Sequence, residues 1–341
     1  MTLGGFARPA GFLAAAVVAS LLYLVLPAGG LGEAWIFVLM NSAAAIALWW
    51  RVVRGGLRGK LWLLLASAQS LYVLATVAWY PYALASQTVW GFPSPVDYMY
   101  WASYLGWGAF LVGITSRRDT EDPGVAWEAI AAGLGLSVVA WRFLVEPAIE
   151  AVGLTTAARI ASFVYPVLLL MLATLAVRAS LLRNRMRHID VLCVSWVIFE
   201  LAADVWYSTA SASGSFRYGS PWIVLWMLSY GFFGAMVLDP HASRLLQTDG
   251  ETRATPTKRR ALVLGMITTS ALAAVGSHAE EGHRLEVALL AVATAASVGL
   301  VLFRLAKTSR DLATERSLRE ELERTHYDLE YAASHDHLTG L

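Results

Sequence analysis

The chain has 341 residues, 57% of them apolar and 15% charged, a balance that excludes an ordinary water-soluble domain and points to a protein built through a bilayer. Its formal net charge of +1 names no partner, because sign asymmetry between loops matters more than the total, and no nucleic-acid partner is expected. The single cysteine, Cys193, lies in an apolar run and excludes any intrachain disulfide, so cysteine usage does not reveal the redox compartment.

In chain order, apolar windows of membrane-crossing length fall at about 10–27, 34–53, 61–80, 97–115, 124–145, 155–177, 189–209, 220–238, 261–278 and 285–305. Gly/Pro-rich, polar or Arg-rich breaks separate them, such as the glycines after Pro27 and the charged stretch 117–123. No small-residue cleavage site follows the first window, which therefore reads as a retained span and not a signal peptide. The expected fold class is all-α, a polytopic membrane protein of about ten transmembrane helices followed by a cytoplasmic coiled-coil signalling helix. Residues 1–305 form the transmembrane domain and 306–334 the helical connector.

Basic residues set the orientation. One set of connections holds Arg8, then Arg51, Arg54, Arg58 and Lys60, then Arg117 and Arg118, then Arg178 to Arg187, then Arg244 to Arg260. The alternate set holds only Arg217 and Arg284, with Arg142 and Arg159 near span ends. The positive-inside rule makes the first set cytoplasmic and places both termini there, in a multi-pass protein of the inner (plasma) membrane.

Aromatic residues cluster unevenly on the outer side. Trp79, Tyr80, Tyr82, Trp90, Tyr98, Tyr100, Trp101, Tyr104 and Trp107 gather around the third and fourth windows, and Trp206, Tyr207, Trp222 and Trp226 around the seventh and eighth. They read either as an interfacial belt at headgroup level or as an outward-facing pocket for an apolar or cationic ligand. The segment 81–95, with three prolines, is the longest outer connection and the expected lid.

Ionisable groups inside spans are costly and become functional candidates. Glu200 and Asp204 are four residues apart, so both carboxylates share one helical face, with Trp196 a turn before and Tyr207 a turn after. Arg142, in the fifth window, is the candidate partner. The set Glu200, Asp204, Arg142, Trp196 and Tyr207 reads either as a satisfied packing contact or as a proton-, cation- or ligand-responsive site for an unknown small ligand or ion. Glu128 and Asp190 sit near cytoplasmic ends, where an acidic residue in a first turn suits the helix dipole.

His278 and His283 flank the turn before the tenth window with Glu280 and Glu281 between them, a pattern that reads as a solvated turn with metal binding as the alternative. No metal ligand set is expected, and no phosphate-binding glycine loop or nucleophile elbow occurs. Gly106, Gly108, Gly133, Gly135, Gly231 and Gly234 are placed to let helices approach closely.

The last apolar run, 285–306, continues into the charged stretch 307–333 with no proline between them, so one helix leaves the bilayer and enters water. Leu305 and Leu312 are seven apart, as are Leu322 and Leu329, with Leu318 four before Leu322. These are coiled-coil spacings with a register break between the halves, which predicts a parallel dimer through 306–334. A solitary solvated helix would carry the same pattern.

The stalk ends in Ser334-His-Asp-His-Leu-Thr-Gly-Leu341. Asp336, Leu338, Thr339, Gly340 and Leu341, set just after a charged helix, resemble the Asp-x-Leu-Thr-Gly-Leu opening of the GGDEF family of membrane-bound diguanylate cyclases. The resemblance covers six residues and the helix register before them. It implies that 335–341 begin a GGDEF-like domain whose signature motif lies beyond Leu341, that GTP and Mg²⁺ belong to that output domain, and that the present chain holds no cofactor and no catalytic residue. The expected function is a membrane sensory region controlling cyclic-di-GMP synthesis or turnover through a dimeric helix. A transporter-like or membrane-embedded ligand-binding protein with a regulatory cytoplasmic tail is the alternative.

Overall fold

The computed structural model describes residues 4–86, 93–117, 124–146, 164–181, 187–212, 215–247, 267, 269 and 284–334. Among these residues the regular structure is helical throughout, in nine main helices. They are α1 (Gly4–Val25), α2 (Leu31–Val53), α3 (Lys60–Val77), α4 (Pro95–Arg117), α5 (Gly124–Ala140), α6 (Val164–Leu181), α7 (His188–Ala212), α8 (Val224–Leu238) and α9 (Arg284–Ser334). Nine of the ten apolar windows coincide with these helices. The window 261–278 lies outside the described residues, apart from 267 and 269.

Four segments are long and apolar enough to cross a membrane: Arg8–Val25, Leu31–Val53, Lys60–Ser86 and Pro221–Leu238. Shorter apolar stretches occur at Ile130–Ala140, Val164–Ala179 and Ala291–Leu300. Helices α4 and α7 are not among these segments, and both carry polar groups toward the bundle interior, Asp97 and Tyr104 in one, Glu200 and Asp204 in the other.

Helix boundaries follow from local chemistry. Gly29 takes φ +72°, and its N–H donates to the Glu33 carboxylate at 2.6 Å, closing the turn into α2. Asp97 sits in the first turn of α4 and accepts from Ser94 N at 2.7 Å, while Asp190 does the same for α7 by accepting from Arg187 N at 3.0 Å. Asp190 thus fills the first-turn role expected for it; the Glu128 side chain lies outside the described residues.

Pro81 does not end the third helix. A five-residue π-helical turn, Ala78–Tyr82, takes up the proline, and the helix continues through Ala83–Ser86. The wider turn accommodates a residue that lacks an N–H and would otherwise clash with the carbonyl one turn back. The expected loop 81–95 is therefore helical at its start and again from Pro95, where α4 begins.

Six helices close into a ring. Helix α2 packs on α3, α3 on α4, α4 on α6, α6 on α7, α7 on α8, and α8 returns to α2. Helix α1 lies outside against α8 and α2, α5 packs on the outside of α6, and α9 packs on α5. Two contacts explain how helices come so close. Gly106 of α4 faces the Ala68 side chain of α3, and Gly234 of α8 faces the Phe12 ring of α1; a Cβ at either place would overlap its neighbour. At one end of the ring, the Arg51 guanidinium donates to the Leu238 and Asp239 carbonyls at 3.2 and 3.1 Å, adding a donor at the C-terminal end of α8, where the Asp239 carbonyl also accepts from Ala242 N.

Candidate functional site

The ring encloses a chamber of about 50 Å³ to which all six of its helices contribute, α3 also through the π turn that follows it. Phe37 comes from α2, Tyr72 from α3, Trp79 from the π turn, Asp97, Tyr100 and Tyr104 from α4. Tyr165 comes from α6, Asp204 and Tyr207 from α7, Trp226 and Tyr230 from α8. Nine of these eleven side chains are aromatic, and the other two are carboxylates.

Both carboxylates on α7 are buried and satisfied by neutral donors. Glu200 accepts from Tyr72 Oη at 2.6 Å and from Ser229 Oγ at 2.5 Å, so it ties α7 to α3 and α8. Asp204 accepts from Tyr104 Oη at 2.7 Å and from Trp226 Nε1 at 3.1 Å, which ties α7 to α4 and α8. Asp97 accepts from Tyr165 Oη at 2.9 Å and from the Ser94 hydroxyl at 2.7 Å. Among the described residues no Lys, Arg or His pairs with Glu200 or Asp204. Carboxylates at this depth repel each other and are costly without a countercharge, so the arrangement calls for a proton or a cation.

The expected partner Arg142 is elsewhere engaged. It lies in a second π-helical turn, Trp141–Val145, and pairs with Glu146 at 2.8 Å. The i,i+4 geometry supplies that carboxylate locally, before any interhelical partner is needed. Trp196 is buried below the chamber, its ring 5.3 Å from Trp107 and 4.9 Å from Phe233, and its carbonyl accepts from Ser229 Oγ at 3.2 Å. Tyr207 lines the chamber, with its ring 5.7 Å from both Trp79 and Trp226.

The outer aromatic set divides. Tyr82, Tyr98 and Trp222 are exposed, as a belt requires, whereas Tyr80, Tyr104, Trp107 and Trp226 are buried in the ring. Trp90 lies outside the described residues. Above the chamber Tyr218 stacks on Tyr80 with centroids 4.9 Å apart and donates to the Trp79 carbonyl at 3.0 Å. Burial pushes the Tyr218 hydroxyl up to about 12, with Tyr207 and Tyr80 adding to the rise, so it remains a neutral donor.

Sequence reasoning placed Tyr104 and Trp226 in the outer aromatic set without pairing them to Asp204, and it missed Tyr72 and Ser229, because these donors lie on other helices. It also missed a cluster at the opposite end. There the fully buried Asp239 carboxylate meets His188 Nε2 at 2.6 Å and His241 Nδ1 at 3.2 Å, and accepts from His241 N at 2.7 Å. These groups bond to one another and do not converge on a common point; among the described residues no set of three or more His, Cys, Asp or Glu is placed to hold a metal ion. His278, His283 and the motif residues Asp336 to Leu341 lie outside the described residues.

No protein-family model, curated protein or solved structure matches the chain.

Proposed function

We propose that this protein is a membrane-embedded sensor whose chamber receives a signal and whose last helix passes it to a C-terminal cyclic-di-GMP domain. The observation that carries this is α9, a single unbroken helix of 51 residues. At 1.5 Å per residue it is about 77 Å long, more than twice the thickness of a bilayer core. Its first part packs on α5 and contains the apolar stretch Ala291–Leu300, while the described side chains from Leu318 to Tyr331 are exposed. Such a rod connects a membrane bundle to the segment 335–341, where the GGDEF resemblance lies.

In this reading the ten apolar windows are ten spans, both termini are cytoplasmic, and the lipid bilayer is the first partner. Leu318, Leu322 and Leu329, all more than half exposed, form the seam of a parallel homodimer over 306–334. GTP and Mg²⁺ act in the output domain and not in the sensor. Packing supplies the route: the chamber reaches α6 through Tyr165, α6 packs on α5, and α5 on α9. A signal that repacks α6 can therefore bias the rotation or register of the stalk, the kind of two-state element that signalling requires.

The test measures cyclic-di-GMP in cells expressing the full-length gene product. Glu200→Gln combined with Asp204→Asn is expected to change the level at unchanged expression. A level identical to wild type with both changes, and again with four residues inserted after Thr314, overturns the sensor reading.

A further inference from the structure

We propose that the chamber binds a small organic ammonium cation, with its charge against Asp204 and its carbon against the tyrosine and tryptophan faces. The proposal rests on the sensor reading for the role of that ligand, but not for its binding.

Charge comes first. Asp97 and Asp204 line the chamber and Glu200 lies one turn below Asp204, yet no Lys, Arg or His is among the lining residues. Among the described residues every hydrogen-bond partner of these carboxylates is a hydroxyl, an indole or a backbone N–H. An anion is repelled here, and a neutral apolar molecule would leave the carboxylates to be neutralised by protons alone.

Unused hydrogen-bonding capacity comes second. Asp204 accepts two hydrogen bonds where a carboxylate offers about four acceptor sites. Tyr230 Oη lies beside the Tyr72 hydroxyl, whose hydrogen is committed to Glu200, and among the described residues it has no partner in good hydrogen-bonding geometry, although the residue is only 2% exposed and lines the chamber. Buried hydroxyls are almost always paired, so an unpaired one beside a cavity marks a position from which a ligand group is bound. An ammonium carries three N–H donors, enough to serve both Asp204 and the oxygen of Tyr230.

Wall chemistry and size then separate an organic cation from a metal ion. Alkali and alkaline-earth ions want a shell of about six to eight oxygen ligands; eight lining side chains carry oxygen, but Tyr72, Tyr104 and Tyr165 already commit theirs to Glu200, Asp204 and Asp97, while all nine aromatic residues offer ring surface. Ring faces attract cations and tolerate the alkyl groups of an amine. The volume of about 50 Å³ holds about four water-sized groups, which fits a short alkylammonium such as ethylammonium.

The test is calorimetric titration of the purified 341-residue chain in nanodiscs with ethylammonium chloride, and in parallel with sodium chloride and with ethanol. Saturable binding of ethylammonium alone is expected. Asp204→Asn should weaken it at least tenfold and Tyr230→Phe several-fold, while Glu320→Gln on the exposed stalk leaves it unchanged. Thermal midpoint and elution volume check that each variant folds; if Asp204→Asn does not, Tyr230→Phe, which keeps the ring, carries the test. No saturable binding to the wild type, equal binding of sodium or ethanol, or wild-type affinity in folded Tyr230→Phe overturns the proposal. Binding that leaves cyclic-di-GMP unchanged counts against the sensor reading and leaves the site standing.

Discussion

Tyr72 Oη donates to Glu200 Oε1 at 2.6 Å, a bond between residues 128 apart in sequence that joins α3 to α7 across the ring. Removing the donor by Tyr72→Phe leaves a buried carboxylate oxygen unpaired, at a cost of about 1–3 kcal/mol. The thermal midpoint in detergent should fall clearly. Glu200→Gln should be tolerated better, because its amide oxygen can still accept from Tyr72 and the Ser229 hydroxyl can turn to accept from its NH₂. Equal midpoints for Tyr72→Phe and wild type would remove this bond from the structural account.

Gly219 has φ +83°, and a Cβ there would overlap Gly29 N and approach the Glu33 carboxylate. Gly219→Ala therefore combines left-handed strain of about 1–3 kcal/mol with a steric clash at the joint between the α2 turn and the Tyr218 segment. Gly59 has φ +112° but open space around it, so Gly59→Ala meets strain alone. Chemical denaturation should find Gly219→Ala the less stable of the two; the reverse order would contradict the packing at Gly29.

Arg51 bridges two carbonyls from Nη1 alone, a role that needs a donor at that point and that an apolar side chain cannot fill. Arg51→Met should loosen the end of α8, seen as faster amide hydrogen exchange over 236–242. Arg58→Met serves as the control, because Arg58 is exposed and among the described residues its hydrogen bond goes to the nearby Gly55 carbonyl. Exchange that is equally slow in both variants would show that this end of α8 is held by other contacts.

Cysteines introduced one at a time on the stalk should report its seam. In a Cys193→Ser background, oxidation should join Leu318→Cys, Leu322→Cys and Leu329→Cys chains on non-reducing gels, with Glu320→Cys far less efficient. Positions 318, 322 and 329 lie on one stripe of the helix, and 320 faces away from it. Equal crosslinking at all four would leave the stalk a solitary helix.

The positions of helices were legible because bilayer-length apolar runs and their breaks are local features, and nine windows coincide with described helices. Pro81 misled, since its usual role as a helix terminator is overridden by a π turn that no local pattern announces. The site was half legible. Glu200 and Asp204 stand out from the periodicity of α7 itself, but the groups that satisfy them come from α3, α4 and α8, and spacing along one helix carries no information about its neighbours. For the same reason Arg142 was assigned to the distant carboxylates, whereas Glu146 lies one turn away on its own helix.

The π turn at Ala78–Tyr82 holds one residue more than an α-helical turn would. Everything after it is thereby rotated by about 100° relative to an uninterrupted helix. Within the turn Trp79 and Tyr80 face Tyr207, Trp226 and Tyr218, while Tyr82 at its end lies outside. The identity of the chamber's roof is thus stored in a count and not in a side chain. Loss of a single codon within this turn would swap inner rings for outer ones while leaving every residue type around it intact, a change that substitution scanning alone would never reveal.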